Sequence, residues 1–155
     1  PQRFDEVAAM AARAGFSVQR RSALDIEQLA SPITADVVLG DSMGEMAMYY
    51  AASDIAYIGG SLIPLGGQNL IEACAVGTPV LMGPHTFNFA QATEDAIAAG
   101  ACERVANADE LMAAAAVMLG DEARLADKRA HALTFAGLHR GATARTLGAL
   151  APVLR

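Results

Sequence analysis

The residues best suited to chemistry crowd into one stretch of the chain. From Ile55 to Thr93 the only formal charge is Glu72, and six of the fourteen glycines fall between Gly59 and Gly83. Paired glycines, Gly59-Gly60 before Ser61 and Gly66-Gly67 before Gln68-Asn69, permit close backbone approach and positive φ. Where such a loop enters a helix, the N–H groups of the first turn bind phosphate without help from a charged side chain. That route matters here, because no Lys or Arg occurs from Ser22 to Glu103. The glycines alone suit plain tight turns equally well, and their spacing matches neither G-x-G-x-x-G nor a P-loop.

Glu72 is more informative. With Asn69 as a helix N-cap it falls at N3, where a capping-box carboxylate reaches back to the Asn69 N–H. The competing reading makes Glu72 a ligand for a ribose diol, both hydroxyls of which a carboxylate can accept. A lone carboxylate in uncharged, glycine-rich surroundings is costly to desolvate unless a polar partner meets it, so Glu72 is assigned to the sugar of a nucleotide. His85, in the loop Pro84-His85-Thr86-Phe87-Asn88-Phe89, could serve as base or ligand. Three isolated histidines without HExxH or a cysteine partner argue against a metal. His131 and His139 read as surface or core, Cys74 and Cys102 as core thiols, and Tyr49 and Tyr50 as packing residues.

These residues must be positioned by alternating elements. Apolar spacing predicts a helix over Phe4 to Ala14 stopped by Gly15, and strands at Phe16 to Gln19 and Val37 to Leu39. A helix follows over Met43 to Ala52, with Ser42 and Glu45 spaced as a capping box. Next come strand Ile55 to Ile58, helix Asn69 to Val76, strand Pro79 to Met82, helix Asn88 to Ala99 and strand Cys102 to Val105. Asn107 caps a helix through Leu119, Gly120-Asp121 opens another to about Ala136, and a last one runs from Gly141 to Ala151, with Pro152 beyond. Five strands alternating with crossover helices predict a doubly wound parallel α/β sheet of Rossmann type in a single domain, 1–155. In such sheets ligands sit beyond the carboxyl ends of the strands, where both glycine clusters fall.

Charge narrows the partners. The formal net charge is −6, with a sequence pI near 4.9, against binding to nucleic acid or an anionic membrane surface. Residues 1–21 carry +2, residues 22–103 carry −10 and residues 104–155 carry +2. Glycine and proline interrupt every charge-free stretch too often for a spanning helix. Two cysteines in apolar settings read as reduced thiols, and the absence of an initial Met leads us to expect a fragment of something longer.

Three strings together resemble a known family. Asp41-Ser42-Met43-Gly44-Glu45, then Gly59-Gly60-Ser61 to Gly66-Gly67-Gln68-Asn69-Leu70-Ile71-Glu72, then Met82-Gly83-Pro84-His85-Thr86-Phe87-Asn88-Phe89 resemble the carboxyl-terminal domain of 3-deoxy-D-manno-octulosonic acid (Kdo) transferases. The resemblance covers the whole chain. It implies the C-terminal half of a GT-B glycosyltransferase that binds the donor CMP-Kdo. The implied reaction is inverting, uses no metal and no other cofactor, and moves Kdo onto a lipid A precursor at the cytoplasmic face of the inner membrane in lipopolysaccharide biosynthesis. The resemblance puts the catalytic base, the acceptor site and the membrane association in an amino-terminal domain. This chain therefore holds no catalytic residue, and alone it is expected to be soluble and inactive. Carried over, Met43, Gly44 and Glu45 lie near the nucleotide, Gly59, Gly60 and Ser61 form the donor-loop turn, and Asn69 and Glu72 meet phosphate and ribose. Gly66, Gly67, Gln68 and His85 complete the expected site. Gln68 stands where the family often has His, and Leu65 where a basic residue is common. Pro1-Gln2-Arg3-Phe4 resembles the middle of the family's Pro-Arg-His-Pro-x-Arg-Phe, which sets the nucleotide-contacting Pro-Arg just ahead of Pro1. Two other readings stay open: the donor domain of a UDP-sugar GT-B enzyme, and a non-catalytic Rossmann-like interaction domain.

Overall fold

The computed structural model describes residues 3–24 and 32–151, those at 142–145 as backbone. Pro1 and Gln2 of the opening motif, and Pro152 past the last helix, lie outside the described residues. The chain divides into two compact units, Pro1–Glu45 and Met46–Arg155.

In the first unit, helix α1 (Phe4–Arg13) carries Asp5 and Glu6 in its first turn and Arg13 in its last, signs that suit the helix dipole. Gly15 follows the helix at φ +91°. Strands β1 (Val18–Arg20) and β2 (Val37–Leu39) pair in parallel, Val18 opposite Val37 and Arg20 opposite Leu39. Serine–aspartate clamps hold both ends of this short ladder. Asp36 accepts from the Ser17 N–H at 2.9 Å and hydroxyl at 2.6 Å, and Asp41 accepts from the Ser22 N–H at 2.8 Å and hydroxyl at 2.7 Å. Hydrogen bonds from the two serines hold both carboxyls below their ordinary range. The strand predicted from Phe16 starts two residues later, because Ser17 is taken up by the clamp.

The second unit opens with α2 (Met46–Ala51) and β3 (Ala56–Tyr57), followed by α3 (Ile71–Ala75) and β4 (Val80–Met82). A 3-10 turn (Phe87–Phe89) leads into α4 (Ala90–Ala98), and then come β5 (Cys102–Arg104), α5 (Ala108–Leu119), α6 (Glu122–Leu138) and α7 (Ala142–Leu150). The strands form a parallel sheet in the order β3-β4-β5. Central β4 is buried throughout, as a strand covered on both faces must be. Val80 and Met82 join Ala73 and Cys74 of α3, Ala96 of α4 and Phe135 of α6 on one face. Leu81 meets Met118 and Leu111 of α5 on the other. Helices on both faces of a parallel sheet are the α/β architecture predicted, here as a strand trio in this unit and a strand pair in the first. Asn107 caps α5 by accepting from the Glu110 N–H at 2.9 Å, and Asp121 caps α6 through the Arg124 N–H at 2.9 Å. Among the described residues no helix is long and apolar enough to cross a membrane.

Three predicted helix starts move, that of α4 from Asn88 to Ala90 because the 3-10 turn takes up the residues before it. Helix α2 begins at Met46 rather than Met43, since Gly44 at φ +80° cannot belong to a right-handed first turn. Ser42 is therefore not its cap, and its hydroxyl donates to the Glu45 carboxylate. Helix α3 begins at Ile71 with Leu70, not Asn69, as its N-cap residue.

Candidate functional site

Beyond the carboxyl end of β3 lies an open cleft of about 390 Å³. Met46 and Tyr50 of α2, Tyr57 and Ile58 at the strand end, and Gly59 line it. Gln68, Asn69 and Glu72, from the approach and first turn of α3, complete the wall. Four residues of the sequence-predicted site, Gly59, Gln68, Asn69 and Glu72, thus face one space.

Asn69 organises the α3 side of the cleft. Its Oδ1 accepts from the Ile71 N–H at 3.0 Å, closing an Asx turn, while its Nδ2 donates to Glu72 Oε1 at 2.9 Å. The carboxylate thus meets the Asn69 side chain, and the backbone contact of a capping box is not made. Glu72 Oε2 has no protein partner among the described residues and is open to a donor in the cleft. Glu72 is exposed, so the desolvation argument that favoured a ligand role does not apply to it. What favours that role is the open oxygen and its place in the cleft wall.

Tyr50 is set from behind. Its backbone carbonyl accepts from Thr78 Oγ1 at 2.6 Å and from the Ser53 N–H at 3.0 Å, and its ring packs against the core. Burial, and after it the Glu72 charge, hold the phenol above its ordinary pKa. The hydroxyl is therefore a protonated donor at neutral pH. Tyr57 lies at the strand end, where its hydroxyl accepts from the Leu62 N–H at 3.3 Å.

The other predicted site residues of this unit are not in the cleft wall. Ser61 is fully buried, its hydroxyl donating to the Ile58 carbonyl at 2.6 Å and accepting from the Gly83 N–H at 2.9 Å. The His85 N–H donates to the Ser61 carbonyl at 2.9 Å, and the Asn88 N–H to the Gly66 carbonyl at 3.2 Å. Asn88 Nδ2 also reaches the Leu65 carbonyl at 3.1 Å. The Gly67 N–H closes on the Gly60 carbonyl at 3.2 Å. Ser61, Gly66 and Gly67 are therefore occupied in fastening the glycine-rich loop to the Gly83–Phe89 loop. Met43, Gly44 and Glu45 belong to the first unit, where Arg21 Nη2 holds the Glu45 carboxylate at 2.9 Å. Met46, Tyr50, Tyr57 and Ile58 were not predicted as site residues. The sequence places Tyr50 in packing, which it also does, and its position ahead of the strand that ends in Gly59-Gly60 is the signal that points to the cleft.

The two thiols are buried and free, and burial pushes both up to about 12. His131 is exposed beside Asp127, 3.5 Å away, and His139 stacks edge-on against Phe135 at 4.5 Å. Among the described residues no cluster of His, Cys, Asp or Glu is arranged to hold a metal.

Fold and cleft together define an α/β domain of the kind that takes its ligand beyond the carboxyl ends of parallel strands. No family model matches the chain. It is 52% identical over 150 residues to the 3-deoxy-D-manno-octulosonic acid transferase of Bordetella pertussis, which covers 97% of this chain and 34% of that protein. The Haemophilus influenzae enzyme of the same name is 44% identical over 89 residues, 57% of this chain and 20% of its own. The crystal structure of the C-terminal CMP-Kdo binding domain of WaaA from Acinetobacter baumannii superposes with a TM-score of 0.77 at 30% identity, over 87% of this chain and 68% of that one. The chain belongs to the Kdo transferase family and corresponds to its C-terminal domain. It spans about a third of the length of the Bordetella relative.

Proposed function

We propose that this chain is the donor-binding domain of a Kdo transferase, with both compact units contributing to one domain and CMP-Kdo held at the β3 cleft. The observation that carries this reading is the open Glu72 Oε2 in the cleft wall of a chain related to a CMP-Kdo binding domain. Glu72 takes the ribose hydroxyls, Gly59 lets the nucleotide approach the backbone, and Gln68 and Asn69 supply amide contacts. Family resemblance adds Met43, Gly44 and Glu45 to the nucleotide surface.

The whole enzyme then transfers Kdo from CMP to a hydroxyl of the lipid A precursor, with inversion and without a metal, at the inner membrane. The base and the acceptor surface belong to the part of the family protein that this chain does not span. Within this chain, α3 is only five residues long and Ser22 to Glu103 holds no cation, so the phosphate end of the site is weakly supplied with positive potential. CMP is expected to bind the chain only weakly, and a sub-micromolar dissociation constant at physiological salt would contradict that charge balance.

Calorimetric competition tests the reading. CMP should bind and UDP should fail to displace it. Tighter binding of UDP would replace the donor with a UDP-sugar, and no binding of either nucleotide would favour an interaction domain.

A further inference from the structure

The cleft wall holds more polar groups than Glu72, and they differ in how firmly they are held. Asn69 is held at both ends, its oxygen by the Ile71 N–H and one amide hydrogen on Glu72 Oε1, which leaves one amide N–H over. Tyr57 has the Leu62 N–H on its hydroxyl. The Gln68 amide and the Tyr50 hydroxyl have no protein partner among the described residues. Gln68 is exposed on the approach to α3. Tyr50, in contrast, is half-buried, packed on the core and fixed by two hydrogen bonds to its carbonyl, so its hydroxyl loses little freedom on meeting a ligand.

The pairing of chemistries is specific. An ionised carboxylate only accepts, whereas a protonated phenol donates and accepts. Two vicinal hydroxyls on a sugar suit that pair, both donating to the carboxylate while one of their oxygens also accepts from the phenol. We propose that Tyr50 is a second sugar-recognising residue of this cleft, its hydroxyl donating to the 2′ oxygen of the ribose whose hydroxyls Glu72 accepts. The proposal rests on the donor-site reading above and assigns that site's preference for a ribonucleotide to two residues on different elements, α2 and α3.

Tyr50→Phe keeps the ring and its packing and removes only the hydroxyl. CMP and 2′-deoxy-CMP are titrated against the 155-residue chain and this variant, with thermal melting as the control for folding. The variant should melt like the parent, bind CMP about three- to tenfold more weakly, the range of one ordinary hydrogen bond, and bind the deoxynucleotide nearly unchanged. A purely structural role for the hydroxyl would shift both ligands alike, and that result overturns the proposal, as does unchanged CMP binding. Parent chain that binds both nucleotides equally overturns the diol role of Tyr50 and Glu72 together. Parent chain that binds no CMP overturns the donor reading itself, an outcome visible before any variant is made.

Discussion

Gly59 and Gly66 belong to the same loop and look alike in sequence, yet their surroundings are opposite. A Cβ added at Gly59 meets no atom within 4 Å, and the residue stands open in the cleft wall. One added at Gly66 would come 2.6 Å from both Phe87 Cε2 and Asn88 Cγ, at a backbone φ of +87°. The same division runs through the whole segment. Gly59, Gln68, Asn69 and Glu72 look outward into the cleft, while Ser61, Gly66 and Gly67 are turned inward onto the loop that follows β4. Glycine density therefore marks a place where backbones come close, without saying whether the visitor is a ligand or another stretch of the same chain.

The inward half offers the largest effect. Gly83 sits where β4 ends, its N–H donating to Ser61 Oγ at 2.9 Å. A side chain there would fall on the Ser61 carbonyl, with the Leu62 nitrogen 2.6 Å away, and all of these obstacles are backbone, which has no rotamer to swing aside. Gly83→Ala should cost about 3 kcal/mol of stability, the upper end for forced overpacking. Urea unfolding measures it. A loss under about 1 kcal/mol would mean that the two loops separate easily and that the inward half is not the rigid side of the comparison.

Three Asn/Ser-x-x-Glu spacings in this chain show what sequence could and could not reveal. All three suit a capping box. At Asn107 the cap forms, with the side chain accepting from the Glu110 N–H, while the Glu110 carboxylate reaches back to the Ala106 N–H, one residue ahead of the cap. At Ser42 and at Asn69 the two side chains bond each other instead. The spacing brings the groups together in either case, and whether the backbone between them is already helical decides the partner. Gly44 at positive φ prevents it in one case, and a first turn shifted by one residue prevents it in the other. The strand-helix alternation was legible because burial periodicity and glycine stops are local signals. Tyr50 packs on the core as read and lines the cleft as well, while Ser61, read as part of the donor loop, is buried, and both differences have one reason. A half-buried tyrosine that packs on the core and lines a cleft has the sequence signature of packing alone, and a serine after two glycines has the signature of a binding loop whichever way its hydroxyl turns.

The outward half should respond in binding and hardly at all in stability. Glu72→Gln keeps the shape and one acceptor, and the Asn69 amide can still donate to it, so the urea midpoint should move little. Loss of the charge-assisted bonds to the ribose should weaken CMP by about 1.5 kcal/mol, roughly tenfold, the low end for a charged partner because Glu72 is exposed. The preference for CMP over 2′-deoxy-CMP should shrink by a similar factor. If this variant instead loses stability while binding CMP normally, Glu72 belongs with the inward half as a structural brace of α3.

The smallest expected effect tests the comparison at its sharpest point, within one type of residue. Gly59 is not among the glycines at positive φ, and nothing stands where its Cβ would go. Alanine there meets no backbone strain and restricts the unfolded chain, which at a compatible position stabilises by about 0.4 to 1 kcal/mol. The added methyl points into space the nucleotide would use, so CMP affinity should fall, by less than in Glu72→Gln because no charged bond is lost. Gly66→Ala, the matching change in the inward half, should destabilise instead, with its methyl pressed on Phe87 and Asn88 at a φ that side chains avoid. Urea unfolding of the two variants side by side gives the sign directly. Opposite signs sustain the division of the loop into a cleft face and a packed face. A loss of stability at Gly59 comparable to that at Gly66 would erase it and leave Gln68, Asn69 and Glu72 as the part of the segment that faces a ligand.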